Sequence, residues 1–80
     1  MKTRDPSATR LYQNPKAILR HRLLAGLKQK DLAKAAGLSP NHLCNIEQGK
    51  RNAGVGALHR LAEALSCKPE DLMSKELTGS

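Results

Sequence analysis

The stretch from Gln29 to Gly49, QKDLAKAAGLSPNHLCNIEQG, constrains the fold more than any other part of the chain. Leu32, Ala33 and Ala36 recur at i, i+1, i+4 spacing and predict a helix from about Gln29 to Ala36. Gly37 stops it, as a residue that accepts positive φ just past the last turn. Ser39-Pro40 opens another helix at once, with Ser as N-cap and Pro in the first helical position. Only Gly37-Leu38 separates the two. Helices joined so tightly cannot lie antiparallel, and a turn of this length holds them at ~90–120°. That crossing needs a small residue where the helices meet, supplied by Ala33. It also needs apolar residues that lock both helices to one core, supplied by Leu32, Ala36, Leu38, Leu43 and Ile46.

The rest of the chain must provide that core from helices. Thirteen Leu and ten Ala stand against one Val, two Ile and a single aromatic, Tyr12. This composition favours helix and leaves too little β-branched and aromatic mass for a sandwich or barrel. Eighty residues make one domain, which buries little more than ~60% of its extended surface. Asn14-Pro15 predicts a first helix from about Pro15 to Ala25, ending near Gly26. Two adjacent apolar stripes, Ile18/Ala25 and Leu19/Leu23, compete there for the inner face. Leu43 and Ile46 are the inward pair of the third helix, which Gly49 ends. A fourth helix from about Val55 to Leu65 aligns Leu58, Leu61, Ala62 and Leu65 on one stripe. Lys68-Pro69-Glu70-Asp71 starts a short fifth helix, pinned by Leu72. The organisation expected is a flexible basic arm over 1–13, an all-α, compact five-helix domain over 14–75 and a flexible tail over 76–80.

The net charge of +7 is uneven. Residues 1–51 carry +8 and residues 52–80 carry −1, which sets a face for a polyanion apart from a face for packing or self-association. Cys44 and Cys67 form no disulfide framework and no zinc spacing. The start, MKTRDPSATR, has no apolar leader region, and no apolar run approaches the ~20 residues that span a membrane, so a cytoplasmic protein is expected. His21, His42 and His59 lack Asp, Glu or Cys partners at ligand spacing, and no metal or cofactor is expected. Neither a glycine-rich phosphate loop nor a paired-carboxylate constellation is present, so the chain reads as a non-enzyme.

From about Ile18 to Met73 the chain resembles the Cro and phage-repressor family, the Xre-type helix-turn-helix proteins. The resemblance lies in GLKQKDLA before the turn, NIEQGKR after it and LHRLAEAL in the fourth helix. It implies a lambda-repressor-like fold with the helix-turn-helix at helices 2 and 3. It also implies sequence-specific binding of double-stranded DNA, generally as a homodimer and usually in repression. Two other roles use the same scaffold: the DNA-binding antitoxin of a toxin–antitoxin pair, and an adaptor that makes only protein contacts. The protein partner would be a toxin in the first and a co-regulator in the second.

In that family the third helix enters the major groove, its N-terminal residues nearest the base edges. Pro40, Asn41, Cys44, Asn45 and Gln48 are the outward positions and hence the candidate base readers. Asn pairs bidentately with adenine, and the family register singles out Asn41 and Asn45. The expected phosphate contacts are Lys28, Gln29, Ser39, His42, Lys50, Arg51 and Asn52. Gln29 opens the second helix, where the family places a Gln that touches the DNA backbone and braces the recognition helix. Lys28 replaces the Ser that often caps that helix, losing ~1 kcal/mol of cap but adding a cation. Arg22 and Glu47 match positions at which relatives carry a buried structural ion pair. By the same resemblance the dimer surface would draw on Val55, Ala57, Leu58, Leu65 and Met73, with core packing the plainer reading for Leu58 and Leu65. The arm residues Lys2, Arg4 and Arg10 are candidates for phosphate or minor-groove contacts.

Overall fold

The structure, a computed structural model, describes residues 11–74. Five helices follow in order: α1 (Pro15–Leu24), α2 (Gln29–Ala35), α3 (Pro40–Glu47), α4 (Val55–Leu65) and α5 (Pro69–Leu72). Among the described residues the only β pairing is one isolated antiparallel bridge between Gln13 and Met73. Central α2 packs on α3 and α4, α1 packs on α3 and α5, and α4 packs on α5. No helix among the described residues is long and apolar enough to cross a membrane.

The helix boundaries follow from local chemistry. Asn14 caps α1, its Oδ1 accepting from the N–H groups of Lys16 and Ala17 at 3.1 and 3.3 Å. Ser39 caps α3, its Oγ accepting from the His42 N–H at 3.0 Å. Lys28 and Gly54 start α2 and α4 with no side-chain cap. At the end of α2, Gly37 has φ +72° and its N–H reaches the Lys34 carbonyl, while the Leu38 N–H reaches the Ala33 carbonyl at 2.7 Å. This paired closure redirects the chain within two residues and sets α3 across α2. Arg60 supports the same corner from α4, donating from Nε to the Ala36 carbonyl at 2.8 Å.

The core gathers Ile18, Leu32, Leu43, Ile46, Leu58, Leu61 and Leu72, each fully buried, with small Ala33, Ala36, Ala53 and Ala62 between them. Each large side chain contributes about 1.5–3 kcal/mol of burial free energy. The competition on α1 is settled for Ile18 together with Arg22, one turn on and also turned inward. Ala25, the expected partner of Ile18, is exposed, because it lies past the helix at the C-cap. Leu19 and Leu23 are exposed, and Leu24 with them.

Two further expectations change. The sequence places the arm over 1–13, but Gln13 belongs to the folded body and is 1% exposed. Its main chain pairs with Met73, and the neighbouring Ser74 N–H donates to the Tyr12 carbonyl at 2.8 Å. Lys2, Arg4, Arg10 and the tail 76–80 lie outside the described residues. On α4, Ala57, Leu58 and Leu65 are core residues, because the apolar stripe of that helix is consumed by packing on α2 and α5. Met73 packs against the core and only Val55 stays exposed, so little of the expected dimer surface is open on this face.

Candidate nucleic-acid interface

Leu43 and Ile46 hold α3 to the core, and the helical period turns the remaining positions outward. Pro40, Asn41 and Gln48 are exposed, and His42, Cys44 and Asn45 are half-buried. Gln48 leans back along the helix, its Nε2 donating to the Cys44 Sγ one turn earlier at 3.3 Å. The side-chain oxygen and the second Nε2 hydrogen of Gln48 are not used by this bond. No formal charge lies on this face from Pro40 to Ile46.

The far end of α3 is held by a polar lock. Arg22 of α1 donates from Nε to Glu47 Oε2 at 2.7 Å and from Nη2 to Oε1 at 3.3 Å. The two side chains are only 13% and 5% exposed. Gln29, the first residue of α2, donates from Nε2 to the same Oε1 at 2.8 Å, and Arg22 Nη1 reaches the Leu27 carbonyl at 3.0 Å. One carboxylate therefore ties α1, α2 and α3 together, and the forked guanidinium fixes its orientation. For Gln29 the structure provides the brace to the recognition helix that the resemblance implied.

Gln13 holds the segment that follows. Its Nε2 donates to the carbonyls of Ile46 at 3.2 Å and Arg51 at 2.7 Å, and its Oε1 accepts from the Ala53 N–H at 3.0 Å. This buried amide thus satisfies itself while pinning the end of α3 and both sides of the loop. Asn52 joins the same attachment, its Oδ1 accepting from the Tyr12 N–H at 2.8 Å. Gly49, at φ +76°, is where the chain needs glycine's freedom to leave α3, and a Cβ there would meet Leu11 and Pro15 at no more than ordinary contact, 3.5 Å. Lys50 and Arg51 remain exposed on this fastened loop. No sequence signal marks Gln13, because its partners lie 33 to 40 residues away. Ser39 is exposed with its oxygen engaged as the cap, and exposed Lys28 stands at the uncapped start of α2.

Elsewhere, burial and then the nearby Asp71 carboxylate push the Cys67 thiol above its ordinary range, at the α4–α5 junction. Among the described residues no group of three or more His, Cys, Asp or Glu side chains could hold a metal ion.

Comparison with known proteins identifies this arrangement. The family model HTH_3, described as helix-turn-helix, matches residues 18–72, from the first core residue of α1 to the last of α5. The restriction-modification controller protein C.AhdI from Aeromonas hydrophila is 30% identical with a TM-score of 0.69, over 71% of this chain and 83% of that one. The clp gene regulator ClgR from Corynebacterium glutamicum is 26% identical with a TM-score of 0.69, over 71% of this chain and 61% of that one. The P22 c2 repressor, solved in complex with a synthetic operator, is 26% identical with a TM-score of 0.67, over 78% of this chain and 91% of that one. A search of curated protein sequences finds no match. The crossed pair α2–α3, its lock through Glu47 and the support of α1, α4 and α5 around it accordingly place the chain in the HTH_3 family of helix-turn-helix proteins, the Xre, Cro and phage-repressor type.

Proposed function

We infer that this protein is a sequence-specific transcription regulator that binds double-stranded DNA, acting as a dimeric repressor with α3 in the major groove. One observation carries the reading. An uncharged α3 face is presented outward and held from behind by buried polar bonds, with cations at the start of α2 and just past α3. Neutral amides on such a face read base edges, while flanking cations replace counterions on the phosphates. Asn41 and Asn45 are assigned to adenine, where a bidentate amide discriminates by about 1–3 kcal/mol. Pro40 offers apolar contact to a thymine methyl, with Cys44 beside it, and Gln48 presents its carbonyl oxygen to a base amino group. Lys28, Gln29, Ser39, His42, Lys50, Arg51 and Asn52 are assigned to the backbone. Asn52 does so while holding Tyr12. Lys2, Arg4 and Arg10 are assigned to phosphate or minor-groove contacts on the same duplex.

Selection of bound duplexes from a random pool, followed by salt titration, tests the reading. The expected result is a pseudo-palindrome with half-sites ~34 Å apart or a multiple of that. The log–log salt slope should be near −0.9 for each phosphate neutralised. Arg51→Ala should weaken binding to all sequences alike and flatten the slope, whereas Asn45→Ala should relax preference at one base position by about 1–3 kcal/mol. A flat salt response, or identical behaviour of the two variants, would contradict the assignment.

A further inference from the structure

The outer face of α1 has no place in the interface above, and its chemistry is unusual for a small domain. Leu19, Leu23 and Leu24 are 37%, 62% and 77% exposed on one ten-residue helix. Scattered surface leucines need no explanation, but a contiguous cluster marks an interaction site. At 3.6 residues per turn, Lys16, Arg20 and Leu23 lie roughly 140–200° around the helix from buried Ile18. This face is thus turned directly away from the core, and α1 spends its other side on α3 and α5. Neither Lys16 nor Arg20 has an acidic partner among the described residues, whereas Arg22 on the inner side is fully engaged. The fold therefore uses Ile18 and Arg22 on the inner side of α1 and leaves the Leu19/Leu23 stripe over.

The shape of the unused stripe indicates its occupant. Lys16, Arg20 and Leu24 form one i±4 ridge, Leu19 and Leu23 form the next, and these five residues line a shallow open groove. Such a groove between neighbouring ridges is what the ridge of another helix packs into. Its cations, clustered toward the start of α1, call for carboxylates, and its leucines call for an apolar ridge. A second copy of this chain fits poorly: the patch carries two cations and no acid, so a homotypic contact would leave Lys16 and Arg20 of both copies without an opposite charge. A nucleic acid would satisfy the cations and leave three leucines in contact with water.

We propose that the outer face of α1 is a docking surface for an acidic amphipathic helix of a partner protein. The partner places apolar side chains at i, i+3/i+4 spacing over Leu19, Leu23 and Leu24, and its carboxylates over Lys16 and Arg20. This surface works independently of DNA recognition, so the regulator can hold its site and its partner at once.

The test uses the full chain and a synthetic acidic amphipathic peptide of about 18 residues, long enough to form a helix on contact. It carries Leu at i, i+3/i+4 spacing flanked by Glu, and a control replaces every Glu by Lys. In an amide-shift titration the Glu peptide should perturb residues 16–24 and leave α3 unmoved. Leu23→Ser with Leu24→Ser, or Lys16→Glu with Arg20→Glu, should each weaken it about tenfold or more. The charge-reversed chain should gain affinity for the Lys peptide. Leu23→Ser with Leu24→Ser should keep the helical circular dichroism and the DNA affinity, because both side chains are exposed. Equal binding of the two peptides, or no shifts at residues 16–24 up to millimolar peptide, would overturn the proposal. So would self-association that Leu23→Ser with Leu24→Ser abolishes, which would make the face a homotypic interface. Binding to phosphatidylglycerol vesicles in place of the peptide would overturn it in favour of a lipid surface.

Discussion

The two ends of α3 are built on opposite principles. Its rear, from Ile46 into the loop at Ala53, is fastened by Arg22, Gln29 and Gln13, which arrive from three other segments. Its front, from Ser39 to Asn45, is held by leucine packing and one cap bond, with its polar side chains turned outward. The difference separates positioning from reading. A side chain that must pair with a base has to be uncommitted in the free protein, so the orientation of the helix is fixed elsewhere, by groups that never face the ligand. The rear lock also sets Lys50 and Arg51, since Gln13 grips the carbonyl of Arg51 itself.

If the rear is the lock, breaking it should have the largest effect in the molecule. Glu47→Ala leaves the Arg22 guanidinium and the Gln29 amide without their acceptor in a largely buried site. Removing one partner of such a pair costs about 3–5 kcal/mol. For a domain this size each kcal/mol lowers Tm by about 4–8 °C, so a thermal melt should drop by at least about 12 °C. Glu47→Gln keeps an acceptor for one donor and should fall between the two. A loss below about 1 kcal/mol would show that packing by Leu43 and Ile46 alone orients α3.

Gln13→Leu asks how far the lock extends. The substitution keeps the volume but strands the Ala53 N–H and takes the shared donor from the Ile46 and Arg51 carbonyls. Leaving such groups unsatisfied costs about 1–3 kcal/mol. Hydrogen exchange should accelerate at Ala53 more than at Leu43. Uniform acceleration across both would mean that Gln13 stabilises the whole body rather than the loop.

What the sequence made legible divides along the same line. The front of α3 is local chemistry: Gly37 for the turn, Ser39 for the cap, Pro40 for the first position, and Leu43 and Ile46 for the inner face. Every one of these acts within a turn or two of its own position, so spacing alone exposes it. The rear is long-range. Arg22 and Glu47 are legible only through the family resemblance, and Gln13 and Arg60 not at all, because a polar residue bonded to carbonyls 24 to 38 positions away leaves no periodic trace. The face of α1 was undecided for a related reason. Two adjacent stripes compete there, and the inner side goes to Ile18, which also brings Arg22 to Glu47.

The smallest effect is expected at the front, and it separates two roles of one side chain. Ser39→Ala removes the acceptor for the His42 N–H and should cost about 1 kcal/mol of stability. Ser39→Asp restores an acceptor and places a negative charge at the positive end of α3, so its urea midpoint should return to that of the parent or exceed it. DNA affinity should not follow. A carboxylate at a residue assigned to the phosphate backbone repels the duplex, so Ser39→Asp should bind more weakly than Ser39→Ala while being the more stable of the two. The gap should narrow as salt rises, since the repulsion is screened over about 10 Å at 0.1 M. Equal DNA binding by the two variants would leave Ser39 as a cap alone and leave the phosphate contacts at the front of the interface to Lys28, Gln29 and His42.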